Sequence, residues 1–247
     1  MKEFNWVTEK MVVFCMLTTL MMNNVFAETY INKTRIILYE DSKEDTFNVI
    51  NEGTNPVLIQ SWIDEGEQNV APERLNVPFI VIPPTFRLDA KQSHALRIIF
   101  FGNGKINFDK SEKLFWLNVL EVPSKNDASE HSNFQLAFRT RIKILLRPDF
   151  LKKSTIEKFL KKIEFNTIVD AKTKKLEISN QSPFFVTLIN IRLNNGKILR
   201  NLPHDGIIAP FANTTVNLSS DAIGSQKVTE FEYVNDYGVI VKYKIDP

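Results

Sequence analysis

Residues 134–147 read FQLAFRTRIKILLR. Apolar side chains fall on Phe134, Leu136, Phe138, Ile142, Ile144 and Leu146, with Thr140 as the one gap. The intervening positions carry Gln135, Arg139, Arg141, Lys143 and Arg147. Alternation with period two predicts a β-strand with one apolar and one cationic face. Pro148 lies just past its end and cannot continue a ladder. The run is long, since strands average about 5–6 residues. Such a strand is either buried in a sheet or is an exposed edge that something must manage.

The surrounding chain has the same character. Strand patterns are expected at Tyr30–Tyr39, Thr46–Ile50, Val57–Ile63, Ala95–Phe101 and Leu114–Val122. Residues 78–84 (PFIVIPP) form an apolar run between prolines, which places them at a sheet edge or corner where an X-Pro bond is open to the cis form. Arg35 interrupts an apolar run and is either a solvated edge position or a site. Asp41–Asp45 reads as a polar turn and Asp64–Asn69 as a solvated acidic turn. Beyond Pro148, Thr155–Ile163 reads as a short amphipathic helix or an irregular bridge. Strand patterns then return at Lys175–Ser179, Phe184–Leu193, Val216–Leu218, Val228–Val234 and Val239–Lys244. Many short strands at roughly ten-residue spacing predict an all-β protein built of β-sandwiches. The break at Pro148 divides it into residues 28–148 and 149–247.

Composition sets further bounds. The 247 residues are 43% hydrophobic and 24% charged, as in a folded globular protein. A formal charge of +2 gives no global field for nucleic acid, so any electrostatic role is local. Residues 1–27 read as an export signal: Lys2 and Lys10, an apolar run from Met11 to Leu20, and a small-residue cleavage site ending at Ala27. The run is short for a membrane span, which needs about 20 residues, so stable insertion is not expected. The single cysteine, Cys15, lies inside that segment, and the mature chain is expected without disulfides.

Catalytic signatures are lacking. His94, His131 and His204 are scattered, with no ligand-spaced pair, no HExxH, no G-x-S-x-G and no phosphate-binding loop. No metal, cofactor or enzymatic activity is expected.

Eight blocks stand out along the chain: TRIILY at 34–39, QSWID at 60–64, PFIVIPPTFRL at 78–88, LRII at 96–99, LFWLNV at 114–119, TRIKILLRP at 140–148, SPFFVTL at 182–188 and NDYG at 235–238. Together they resemble one family, the periplasmic pilus-assembly (PapD-like) chaperones. The short loop Pro123–Asn133, without flanking cysteines, resembles the family's short-loop class. The resemblance implies two immunoglobulin-like sandwiches set at an angle, an L-shaped molecule with a cleft between them. It also implies a periplasmic chaperone that binds and caps pilus or fimbrial subunits by lending them a strand, then delivers them to an outer-membrane usher.

By the same resemblance Arg35 and Lys143 anchor the subunit's terminal carboxylate, and Phe134, Leu136 and Phe138 are the lent apolar residues. Glu112, Arg147 and Asp236 form an interdomain ionic network, and Leu58, Gln60, Pro83, Pro84 and Val122 face the usher. Self-association of the free protein stays open. The alternative is a structural or adhesive β-sandwich that is itself a fibre component. One geometric question also stays open: strict alternation puts Lys143 on the face opposite Phe134, Leu136 and Phe138, and a bulge could re-aim it.

Overall fold

A computed structural model describes residues 29–42, 44–102, 106–124, 136–170, 173–218 and 227–245. The first half contributes β1 (Thr29–Ile31), β2 (Arg35–Tyr39), β3 (Glu44–Asn51), β4 (Val57–Asp64), β5 (Phe79–Ile82), β6 (Thr85–Leu88), β7 (Ser93–Phe100), β8 (Lys113–Pro123) and β9 (Phe138–Arg147). These make two sheets, ordered β1-β3-β7-β5 and β2-β9-β8-β4-β6. Their inner faces interdigitate through Phe47, Val49, Leu96 and Ile98 from one sheet and Ile36, Leu38, Ile59, Leu117 and Ile144 from the other. The proline-bounded run forms β5 at a sheet edge, with a cis Ile82–Pro83 bond.

The second half contributes β10 (Ile163–Asp170), β11 (Thr173–Asn180), β12 (Val186–Leu193), β13 (Ile198–Leu199), β14 (Ile207–Ile208), β15 (Ala212–Leu218), β16 (Val228–Val234) and β17 (Ile240–Lys244). One sheet runs β10-β11-β15, the other β13-β12-β16-β17 with β14 also on β12. A separate core joins them through Leu176, Ile178, Phe184, Leu188, Ile191 and Phe231. Asp149–Leu151 and Ile156–Lys162 are two short 3-10 segments whose Leu151, Ile156 and Leu160 belong to this second core. The molecule is therefore two β-sandwiches, each with its own core. No helix of the described residues is long and apolar enough to cross a membrane.

Three expectations are corrected. Tyr30–Tyr39 is not one strand: β1 pairs with β3 in one sheet and β2 with β9 in the other, so the chain switches sheets at residues 32–34. There Asn32 bonds to Asn48 through both backbone and side chain, a tertiary hold that local propensity does not encode. The polar turn after Tyr39 is shorter than read, because β3 already starts at Glu44. The organising strand starts at Phe138, with Leu136 before it. Phe134 and residues 125–133 of the preceding loop lie outside the described residues.

Candidate functional site

The strand β9 is neither wholly internal nor wholly an edge. Along its whole length it pairs antiparallel with β8, from Lys113 opposite Leu146 to Glu121 opposite Phe138. On its other side β2 pairs with it in parallel, and only from Arg35 opposite Lys143 to Tyr39 opposite Arg147. Among the described residues, Phe138–Ile142 thus has a neighbour on one side and an open row of backbone donors and acceptors on the other.

Its two faces separate cleanly. Ile142, Ile144 and Leu146 enter the first core. The same row then runs out past the sandwich into Phe138, 60% exposed, and Leu136, 53% exposed. The β8–β9 register is continuous, with no bulge. Lys143 therefore stays on the opposite face, so the apolar row and the cation are presented to different sides of one strand.

The register carries that opposite face across the sheet: Arg35 beside Lys143, Lys143 beside Trp116, and Trp116 beside Asp64. At its other end Leu58 lies opposite Val122 and Gln60 opposite Leu120. Leu58 and Val122 are exposed, and Pro84 is tied to β4 by the Ser61 amide, which donates to its carbonyl at 2.7 Å. Leu58, Gln60 and Val122 thus share a face with the two cations, while Pro83 and Pro84 sit at the β5–β6 turn beside it.

The cations meet the second sandwich. Lys143 Nζ donates to Thr187 Oγ1 at 3.1 Å, and Arg35 Nη1 donates to the Val234 carbonyl at 3.3 Å. Burial and the neighbouring Arg35 charge bring the Lys143 ammonium down to about 8, with Asp205 opposing. Burial likewise lowers the Arg35 guanidinium from its ordinary value, against the pull of Asp236 and Glu112. Two desolvated cations side by side, with no carboxylate bonded to either among the described residues, make a site that favours an incoming anion.

Beside them sits a buried cluster. Arg147, 1% exposed, donates from Nε to Glu112 Oε1, and from Nη1 and Nη2 to Asp236 at 2.8 and 2.6 Å. The Phe185 amide donates to Glu112 Oε2 at 2.8 Å, the Glu112 amide to the Pro183 carbonyl at 2.9 Å, and Phe184 lies 4.9 Å beneath the guanidinium. Burial opposes the Arg147 cation, yet hydrogen bonds and charge from Asp236 and Glu112 outweigh it and hold it protonated. Burial also pushes the Glu112 carboxyl up, with Arg147 and the Phe185 amide pulling against it. The cluster joins residues from β9, the segment before β8, and two loops of the second sandwich.

Sequence reasoning missed Thr187 and the Val234 carbonyl, which reach the cations only through tertiary packing. It also misplaced Asp64. That carboxylate is fully buried, bonded to Arg141, Asn118 and the Gly66 amide rather than solvated in a turn. Its phase, two positions after Trp62, puts Asp64 on the partly exposed face with Leu58 and Gln60, so no period in the sequence signals its burial.

Comparison with known proteins matches this architecture. Residues 28–152 match the family described as pili and flagellar-assembly chaperone, PapD N-terminal domain, and residues 159–245 match pili assembly chaperone PapD, C-terminal domain. The probable fimbrial chaperone YadV of Escherichia coli K12 is 36% identical over 239 residues, covering 94% of this chain and 95% of that one. The chaperone protein MrkB of Klebsiella pneumoniae is 34% identical over 220 residues, covering 87% and 89%. Among solved structures, the YadV chaperone superposes with a TM-score of 0.71 at 31% identity, covering 89% of this chain and 99% of that one. The Salmonella enterica SafA pilin in complex with the SafB chaperone gives 0.72 at 26%, covering 90% and 98%. Two sandwiches joined through a buried ionic cluster, a half-open strand and a family match across both halves lead to one conclusion: this chain belongs to the PapD family of pilus-assembly chaperones.

Proposed function

We propose that this protein is a periplasmic chaperone that captures pilus or fimbrial subunits on the open half of β9 and passes them to an outer-membrane usher. The observation that carries the reading is where β2 begins. Because β2 runs parallel to β9 and begins opposite Lys143, a partner strand laid along Phe138–Ile142 in the same direction meets the start of β2 with its C-terminus. A terminal carboxylate there falls beside Arg35 and Lys143, where an arginine fork and a lysine ammonium satisfy it. The anchor fixes register, since a one-residue slip would turn every partner side chain to the wrong face. Meanwhile Phe138, Leu136 and the preceding Phe134 offer apolar side chains to an incomplete partner core.

Other assignments follow. Glu112, Arg147 and Asp236 hold the two sandwiches in the orientation that places Thr187 and Val234 against the cations. Leu58, Gln60, Pro83, Pro84 and Val122 supply the surface that meets the usher. Residues 1–27 export the chain and are removed after Ala27, a reading supported by a family match that begins at residue 28. A periplasmic setting is supported by the likeness to the periplasmic chaperone SfaE, 26% identical with a TM-score of 0.65. This work needs binding and release, with no bond chemistry.

The test is co-expression with candidate fimbrial subunits and co-purification from the periplasm. The wild-type chain should recover its subunit. Leu136→Glu, which puts a charge into the partner's apolar groove, should not. Normal recovery by that variant would show that another edge is used.

A further inference from the structure

The open half of β9 poses a mechanical problem. Phe138–Ile142 has β8 as its single strand neighbour among the described residues, and its inward-row side chains Phe138 and Thr140 are exposed. A one-sided strand end with little packing is the kind of segment that frays. A frayed edge must be ordered at the moment of capture, at the expense of affinity.

The opposite face carries a brace. Arg139 lies 5.1 Å over the Trp62 ring and Arg141 4.1 Å over Trp116, so two side chains of β9 stack on two rings of β4 and β8. Asp64, its side chain wholly buried, sits between them: Arg141 Nη2 donates to Oδ1, and Arg139 Nη2 lies 3.6 Å from Oδ2. Asn118 Nδ2 donates to Asp64 Oδ2 at 2.7 Å, while Asn118 Oδ1 accepts from Arg139 Nε and Nη2 at 2.8 and 2.6 Å. The remaining Arg139 nitrogen, Nη1, donates to the Gln68 carbonyl at 2.7 Å. All three guanidinium nitrogens of Arg139 are thus engaged inside the molecule. This cation is spent on its own sheet and is poorly placed to serve as a ligand for a partner. The Gly66 amide, donating to Asp64 Oδ1 at 2.7 Å, closes the loop over the carboxylate.

We propose that Asp64 is a positioning residue: by gathering Arg139 and Arg141 against Trp62 and Trp116, it holds the one-sided half of β9 flat and extended, ready to receive a partner strand. The inference rests on the reading of β9 as the lent strand. Asp64 does not touch the partner; it acts through the two arginines. Its carboxyl is held below the ordinary range, because donors from Arg141, Asn118 and Gly66 outweigh the burial that opposes charge. The brace is therefore charged at neutral pH.

Hydrogen exchange and partner binding test this together. In Asp64→Asn, amides in residues 138–142 should exchange ~10-fold faster or more, while residues 143–147 and the second-sandwich strand Val186–Leu193 keep their protection. Affinity for a synthetic peptide of the C-terminal strand of the co-purifying subunit should fall ~10-fold, with Asp64→Glu restoring part of it. Should Asp64→Asn fail to fold, Arg139→Gln, whose side chain is partly exposed, carries the same test. Unchanged exchange at 138–142 in a folded variant overturns the proposal, as does faster exchange with unchanged affinity. If the wild-type protein binds no subunit, the strand-lending reading fails and the purpose proposed for the brace fails with it. The exchange result separately decides whether Asp64 holds the strand.

Discussion

Arg35 and Lys143 stand directly opposite each other at the first rung of the parallel β2–β9 ladder, and each reaches across to the second sandwich for a hydrogen-bond partner. Neither half of the molecule forms this site alone. The cations are also buried enough to carry no full hydration shell, which is why an anion placed between them gains more than it would at an open surface.

Removing either cation should weaken capture without unfolding the chain. A charge-assisted hydrogen bond is worth roughly 1.5–3 kcal/mol, so Lys143→Ala or Arg35→Ala should weaken peptide binding by about 10- to 100-fold each. Calorimetry with a peptide of the subunit's last strand, beside a thermal melt, checks this. Retained affinity in a folded variant would remove the anchoring role.

Capture and stability should respond to pH in opposite directions. Lys143 in the free protein titrates at about 8. The carboxylate needs the protonated amine and raises its pKa on binding, so affinity should be flat below about pH 7 and fall as pH rises through about 8 and beyond. For folding, the lysine pKa is lowered from 10.5. The unfolded chain then binds more protons between the two values, and stability should rise across that window. Lys143→Arg should flatten both profiles.

The buried cluster should be costly to break from one side. Asp236→Asn leaves Arg147, nearly solvent-free, with Glu112 as its remaining carboxylate partner. Truncating a buried pair typically costs about 3–5 kcal/mol. Asp89→Asn, at the exposed Arg87–Asp89 pair, should cost about 0–1 kcal/mol in the same denaturant series. Equal effects would mean that the cluster contributes no more than a surface pair.

Gly238 tests the seam between the sandwiches. Its φ is +79°, and an added Cβ would stand 1.9 Å from Thr34 Oγ1. Gly238→Ala should destabilise by more than about 1 kcal/mol through both backbone and overlap. Adding Thr34→Ala should recover the overlap part and leave the backbone part. A double variant no more stable than the single one would place the whole cost in the backbone.

What the sequence made legible was whatever repeats along a strand. Ile142, Ile144 and Leu146 announce an inward face by phase alone, and the proline-bounded 79–82 announces an edge. The sheet switch at residues 32–34 was hidden because strand-forming residues continue on both sides of it, and pairing partners are chosen at long range. Strand Ile163–Asp170 follows directly on the Ile156–Lys162 turn, and Ile198–Leu199 and Ile207–Ile208 are too short to show any period. At the site, Arg35, Lys143 and the Glu112–Arg147–Asp236 cluster were legible through motif resemblance. Thr187, the Val234 carbonyl and buried Asp64 were not, since each acquires its role from a neighbour at least 44 positions away.

If β9 receives a client as proposed, the abrupt start of β2 has one more consequence: it would make the protein a measuring device. The open row along Phe138–Ile142 ends where Arg35 begins β2, so a client strand laid there as proposed would be gauged from its last residue backward. A strand extended by even one residue at its C-terminus must either collide with the chaperone's own chain or slide outward and turn its side chains over. Length, more than composition, is what such a wall would inspect.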